Sequence, residues 1–290
     1  MQREREAVHI ETSGMLQRHR LDSASGVTLT YAEYVPRRSS ATDIVLVHGL
    51  ASSGLQFHND AVRFAESGHR VIVPDLRGHG ASGVPSGPIR AADFSIATMA
   101  QDVLAVLEHA NAGQVHWVGN SLGGILALHL LGTPQSDRLE SLALFGTCFS
   151  MQLPAQAAHV LRLSFLPGAP VTAWLTARTT TQSLFGRQSI ETAIRQFKVG
   201  AGAAIVSGLR RYDFIANALS YDRPVLVLRG GKDHAVNLRL RHDIRRLAHR
   251  PNIDLIDLPK GGHCANLDVP EAFCAALEEH WRRAELRAST

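Results

Sequence analysis

Val115-His116-Trp117-Val118-Gly119-Asn120-Ser121-Leu122-Gly123-Gly124-Ile125-Leu126-Ala127-Leu128 is the stretch on which the reading of this chain turns. An apolar run with strand character meets a second apolar run with helix character, and a serine sits at the junction. A strand that turns this sharply into a helix brings the two backbones almost into contact, so the positions two residues either side of the serine must lack a Cβ. Gly119 and Gly123 meet that requirement. Ser121 is therefore expected at the strand tip, held away from its neighbours and open to a reactant.

A serine hydroxyl is a poor nucleophile until a base removes its proton, and the base needs an acid to orient it. Both residue types follow in the chain. Asp233 closes Gly230-Gly231-Lys232-Asp233 after the apolar run 224–229, and His263 closes Gly261-Gly262-His263. Thirty positions separate them. That is roughly one helix and one strand, the spacing expected of two loops at the same end of neighbouring strands.

The wider sequence reads as alternating strands and helices. Segments 16–22 and 28–34 flank Ser25-Gly26 and predict an antiparallel edge hairpin. Continuous apolar runs at 43–47 and 70–74 suit strands buried on both faces. Helical patterns lie at 56–67 and 95–110, the second carrying Ile96, Met99, Val103, Val106 and Leu107 at helical spacing. After the serine turn come a helix to Leu131, a strand at 139–145, and a strand, helix and strand around Val225, Leu240 and Leu255. Repeated βα units predict an α/β fold with a doubly wound, mostly parallel sheet. Between Gly146 and Asp222 the alternation stops and helical pieces are punctuated by Pro154, Pro167, Gly168, Pro170 and several later glycines. The domain reading is a core of 1–147 and 222–290 with a helical cap or lid at 148–221, inserted between two strands of one sheet and expected to fold over their ends.

Composition narrows the function classes. With 290 residues and 45% hydrophobic content the chain can bury a large core. No apolar stretch reaches the eighteen or so residues of a membrane span, and Met1 to Glu6 leads into polar sequence without a secretory run, so a cytoplasmic protein is expected. Cys148, Cys264 and Cys274 lack metal spacing, and reduced thiols are expected. The formal charge is +4, yet 148–221 alone carries seven Lys or Arg against Glu191 and Asp213. These cations are scattered rather than clustered, and the segment contains no tyrosine before Tyr212, which argues against nucleic acid as a partner. They could instead meet an anionic substrate in a fork geometry, or simply be solvated.

Taken together, His48-Gly49 after a strand, Asp75-Leu76-Arg77-Gly78-His79-Gly80-Ala81-Ser82-Gly83, the serine turn, Gly230-x-x-Asp233 and Gly262-His263 resemble the α/β-hydrolase superfamily over about Leu29 to Trp281. The resemblance implies a Ser-His-Asp triad of Ser121, His263 and Asp233 acting by acyl transfer on a small-molecule substrate. Carboxylic esters, lactones and thioesters are the implied substrates, with no metal or organic cofactor. The oxyanion formed on attack would be held by the backbone N–H of Leu122 and by that of Leu50, the residue after the His-Gly pair, with Ala51 as the neighbouring candidate.

Several charged or polar residues are expected to be structural. His48 and His79 should support the oxyanion loop, and Asp75 with Arg77 and Gly78 should shape a turn. Asp243 falls inside a helical pattern and Asp268 follows the histidine, which makes both poor rivals for the triad acid. The loop 145–148 offers no acid at all. Cys264 is expected to be a buried spectator thiol. Serine at position 121 sets the chain apart from the aspartate-dependent dehalogenases and epoxide hydrolases that share the resemblance. Asparagine before the serine is similar to carbon–carbon bond hydrolases of ring-cleavage products, although those often follow the histidine with tryptophan rather than Cys264. A small-molecule receptor on the same fold is the reading from another class.

Overall fold

The computed structural model describes residues 15–38, 41–247 and 249–288; the polar leader at 1–6 lies outside them. The chain opens with β1 (Leu16–Asp22), β2 (Thr28–Tyr34) and β3 (Asp43–Val47), followed by α1 (His58–Glu66), β4 (Val71–Asp75), α2 (Ile96–His109) and β5 (Val115–Asn120). Next come α3 (Leu122–Leu130), β6 (Leu139–Phe145), β7 (Ser150–Gln152), α4 (Ala157–Ser164), α5 (Ala169–Thr180), α6 (Leu184–Gln196), α7 (Val199–Gly208) and β8 (Arg211–Asp213). The chain finishes with α8 (Ile215–Ser220), β9 (Val225–Gly230), α9 (His234–Leu247), β10 (Ile253–Leu258), α10 (Ala265–Asp268) and α11 (Pro270–Ala288).

Eight strands form one sheet in the order β1-β2-β4-β3-β5-β6-β9-β10. The pairs β1·β2 and β2·β4 are antiparallel, and the others are parallel. Alternation along the buried strands divides the core into two layers. In β3, Val45 and Val47 face the layer that holds α2, α3 and part of α9, whereas Ile44 and Leu46 face Phe57 and Phe64 near α1 and Phe273 and Trp281 of α11. Burial on both faces explains why these strands read as unbroken apolar runs.

Two local differences from the sequence reading have simple causes. The pattern at 56–67 begins as a 3-10 turn at Gly54–Phe57, and the α-helix starts only at His58. The segment between β6 and β9 is not purely helical: β7 and β8 pair antiparallel, with Ser150 opposite Asp213 and Gln152 opposite Arg211. Strands of three residues are too short to show an alternation. They form a ribbon at which the chain enters and leaves the helical region of α4 to α7. Among the described residues no helix is long and apolar enough to cross a membrane.

Candidate active site

Ser121 caps the first turn of α3 at φ 49° and ψ −112°, a conformation that costs a non-glycine residue roughly 1–3 kcal/mol. The surroundings hold it there. Its N–H donates to Phe145 O at 3.0 Å, and its carbonyl accepts from Gly124 and Ile125 N–H and from Thr147 Oγ1. The flanking glycines are required by contact. A Cβ on Gly119 would lie 2.5 Å from Gly124 N, and one on Gly123 would lie 2.1 Å from Val47 O. Trp117 Nε1 donates to Gly123 O at 3.1 Å and pins helix to strand from below. Asn120 and Leu122 to Leu128 are buried, whereas Ser121 is half-exposed.

The loops after β9 and β10 meet beside this turn, joined by the bond from Lys232 N–H to Gly261 O at 2.9 Å. His263 Nδ1 lies 2.9 Å from Asp233 Oδ2. A carboxylate only accepts, so Nδ1 carries a proton, and in the neutral ring the lone pair is on Nε2. The carbonyl of His263 accepts from Asn120 Nδ2 at 3.0 Å. Gly146, at φ 58°, lets β6 reach the same point: a Cβ there would lie 2.8 Å from Asn120 Nδ2 and 3.1 Å from His263 Cε1. Hydrogen bonds thus link three distant segments: the turn of Ser121 through Asn120, the loop of His263 and the loop of Asp233.

The loop after β3 closes the other side, where a Cβ on Gly49 would lie 3.1 Å from that of Ser121. Ala51 N–H already donates to His79 Nε2 at 3.1 Å, which removes it as a free donor. Leu122 is the first residue of α3, so its N–H has no acceptor within the helix. His48 donates from Nδ1 to Gly49 O at 2.8 Å and accepts from Leu76 N–H at Nε2. His79 donates from Nδ1 to Arg77 O. Burial lowers His48 to about 4 and His79 to about 3. Both rings are neutral struts beneath the loop.

Asp75 shapes the adjacent turn by accepting from Gly54 N–H, Ala81 N–H and Thr30 Oγ1. Arg77, by contrast, leaves the turn: it is fully buried, pairs with Asp102 of α2, and donates to Asp93 O and Ser25 Oγ. The two rival acids are committed elsewhere. Asp243, fully buried, accepts from Phe149 N–H, Ser150 N–H and Ser150 Oγ. Asp268 accepts from Thr181 Oγ1, Gln182 N–H and Gly262 N–H, tying the α5–α6 connection to the histidine loop. Cys264 is buried and its thiol is pushed strongly upward by that burial.

Helices α5 and α6 face the site through Ala173, Ala177, Ile190 and Ile194, which cluster with Cys264 and Leu267 and with the partly buried Ala51 and Phe165. The neighbourhood is apolar. Of the cations between β6 and β9, Arg162, Arg178, Arg195, Lys198, Arg210 and Arg211 are exposed, as a solvated surface would have them. A separate cavity of 560 Å³ lies along β1 and β2, lined by Arg18, Tyr31, His58 and Thr192 among others, and none of the three site residues borders it. Among the described residues no cluster of three or more His, Cys, Asp or Glu could hold a metal ion. Two buried amides beside the site, Gln56 and Asn266, carried no signal in the sequence because 210 positions separate them.

Comparison with known proteins gives a consistent outcome. A family model described as the alpha/beta hydrolase family matches residues 44–276. A curated relative, 3-oxoadipate enol-lactonase 2 of Acinetobacter baylyi, is 24% identical over 266 residues, covering 90% of this chain and 96% of the relative. Among solved structures, a hydrolase from Pseudomonas aeruginosa matches with a TM-score of 0.78 at 23% identity, covering 91% of this chain and 98% of its own. An esterase from Exiguobacterium antarcticum matches with a TM-score of 0.77 at 19% identity and the same two coverages.

Proposed function

The chain belongs to the alpha/beta hydrolase family, and from that premise we propose that it cleaves a carboxylic ester, lactone or thioester of a small, partly apolar substrate through an acyl-enzyme on Ser121. The observation that carries this reading is the half-exposed, strained Ser121, preceded by Asn120 that bonds the carbonyl of His263, whose Nδ1 in turn faces the buried Asp233 carboxylate. Ser121 Oγ attacks the carbonyl carbon while His263 Nε2 takes its proton, and Asp233 stabilises the resulting imidazolium. The carbonyl oxygen becomes an oxyanion, received by the N–H groups of Leu122 and Leu50, since that of Ala51 is engaged by His79. Each such donor is worth on the order of 2.7–4 kcal/mol of barrier. Proton return from His263 expels the alcohol or thiol, and water activated by the same histidine then releases the acid.

The segment 148–221 serves in this reading as a cap whose α5 and α6 supply the apolar wall of the acyl pocket. Similarity to an enol-lactonase and an esterase fits ester or lactone chemistry. Asn120 adds no weight to carbon–carbon cleavage, because both its N–H donors go to the backbone carbonyls of Phe145 and His263 and its oxygen to Gln56.

The test is turnover of short and medium p-nitrophenyl esters and γ-lactones by wild type and Ser121→Ala, with fluorophosphonate labelling in parallel. Wild type should turn over and be labelled, and Ser121→Ala should lose at least about 10³-fold in kcat and all labelling. A wild type that resists labelling overturns the assignment of Ser121, and one that is labelled once without turnover points to a receptor.

A further inference from the structure

Beneath the site lies a hydrogen-bonded group that the reaction scheme does not use. Gln56, Asn120 and Asn266 are all fully buried. Gln56 Nε2 donates to Asn120 Oδ1 at 3.1 Å and to Asn266 Oδ1 at 3.2 Å, while its Oε1 accepts from Ser52 Oγ at 2.8 Å. Asn120 Nδ2 donates to Phe145 O at 3.3 Å and to His263 O at 3.0 Å. Asn266 Nδ2 donates to Gln56 O at 3.2 Å and to Asp60 Oδ2 at 2.7 Å.

The orientation of every amide follows from the ends of this chain of bonds. At one end stand two backbone carbonyls, and at the other a backbone carbonyl and a carboxyl oxygen, all of which accept. Asn120 and Asn266 must therefore turn their nitrogens outward to them and their oxygens inward. The two inward oxygens face Gln56, whose single amide supplies two N–H groups, and its own oxygen is left for the Ser52 hydroxyl. All six N–H groups of the three amides are satisfied, so no member can flip or shorten without stranding a buried polar atom.

Each branch ends at a different part of the site. Asn120 immediately precedes Ser121 and holds the carbonyl of His263, Asn266 stands three residues after His263, and Ser52 lies in the loop of Leu50 and Ala51. We propose that Gln56 is a positioning residue: its amide fixes the nucleophile turn, the histidine loop and the oxyanion loop relative to one another in a single rigid mount. This rests on the assignment of Ser121 and His263 as nucleophile and base. A mount of this kind acts on the transition state, because the groups it aligns meet only when the tetrahedral oxyanion forms, and displacement by about 1 Å can cost on the order of 10²-fold in rate.

The experiment compares wild type, Gln56→Met, Ser52→Ala and Asn252→Leu for kcat, KM, Tm and the second-order rate of fluorophosphonate labelling. Asn252 is the control, a buried amide that bonds Tyr221 O and Arg223 O near the opposite end of β9. Gln56→Met should lower kcat and the labelling rate together by about 10²-fold, with KM changed less than about threefold. Asn252→Leu should lower Tm while keeping kcat and labelling near wild type. Ser52→Ala removes one arm only and should lower kcat about tenfold, which keeps the test decisive if Gln56→Met does not fold. Wild-type kcat and labelling in folded Gln56→Met or in Ser52→Ala, whatever the change in Tm, overturns the proposal and leaves the amides as core filling. Failure of the underlying assignment looks different: wild type itself is then not labelled, or Ser121→Ala keeps full turnover.

Discussion

A single residue, Ser121, holds a backbone conformation that its side chain disfavours, and the two glycines around it show how closely the surroundings enforce it. Gly123 is the tighter of the two. Substitution by alanine would drive a methyl group against Val47 O, a backbone atom of the central strand β3 that has no rotamer by which to retreat. Gly123→Ala should therefore destabilise the protein by about 3 kcal/mol or more, measured as a fall in Tm of at least about 6 °C or as loss of soluble protein. An alanine that left Tm unchanged would mean that α3 and β3 do not approach as described. This residue-scale constraint was legible in the sequence, since Gly-x-Ser-x-Gly between two apolar runs states the steric problem directly. The partners of Gln56 were not legible, because a buried amide and a surface amide are the same letters until the chain is folded.

Elements are joined to one another here by a few buried carboxylates. Asp243 of α9 accepts three hydrogen bonds from Phe149 and Ser150, and Arg239, one turn earlier on the same helix, donates to Ser150 O, so α9 grips the first strand of the β7–β8 ribbon. Removing that grip in Asp243→Ala leaves two buried N–H groups without an acceptor, at a cost of about 2 kcal/mol or more. Amide exchange at Phe149 and Ser150 should accelerate at least tenfold, and proteolysis within 150–213 should outpace cleavage elsewhere; unchanged exchange would show that the ribbon holds itself. At this scale the long strands were read correctly from their patterns, with 16–22, 28–34, 43–47 and 139–145 matching to the residue. The ribbon escaped because three residues carry no period. Asp243 was placed in a helix by pattern, but its grip on a strand more than ninety positions earlier belongs to tertiary contact alone.

Across the whole molecule, buried titratable groups outside the candidate site shape how stability varies with pH, and they act in opposite directions. Burial, followed by the neighbouring His48, pulls His79 down to about 3, and burial pulls His48 down to about 4. Between pH 6.5 and those values the unfolded chain binds protons that the folded chain does not, so the stability they contribute is present above 6.5 and lost on acidification. Burial of Asp60 raises its carboxyl to about 7. The folded chain then holds a proton that the unfolded chain has released above pH 3.8, so this contribution is present at low pH and lost as pH rises through 7. Asp60→Asn should thus steepen the fall of Tm between pH 7 and pH 4 relative to wild type, and parallel profiles would remove Asp60 from the account. The order of Ser121, Asp233 and His263 along the chain was enough to single them out as a candidate site, whereas the pH response depends on depth of burial, which composition does not encode. The β7–β8 ribbon carries one more consequence. Because the chain departs from and returns to the sheet side by side, with Gln152 opposite Arg211, the intervening stretch is a closed loop with a narrow neck. Such a stretch is exchangeable as one unit: a foreign sequence whose ends match that neck should be accepted in its place, with β5, β9 and β10, after which Ser121, Asp233 and His263 stand, left untouched.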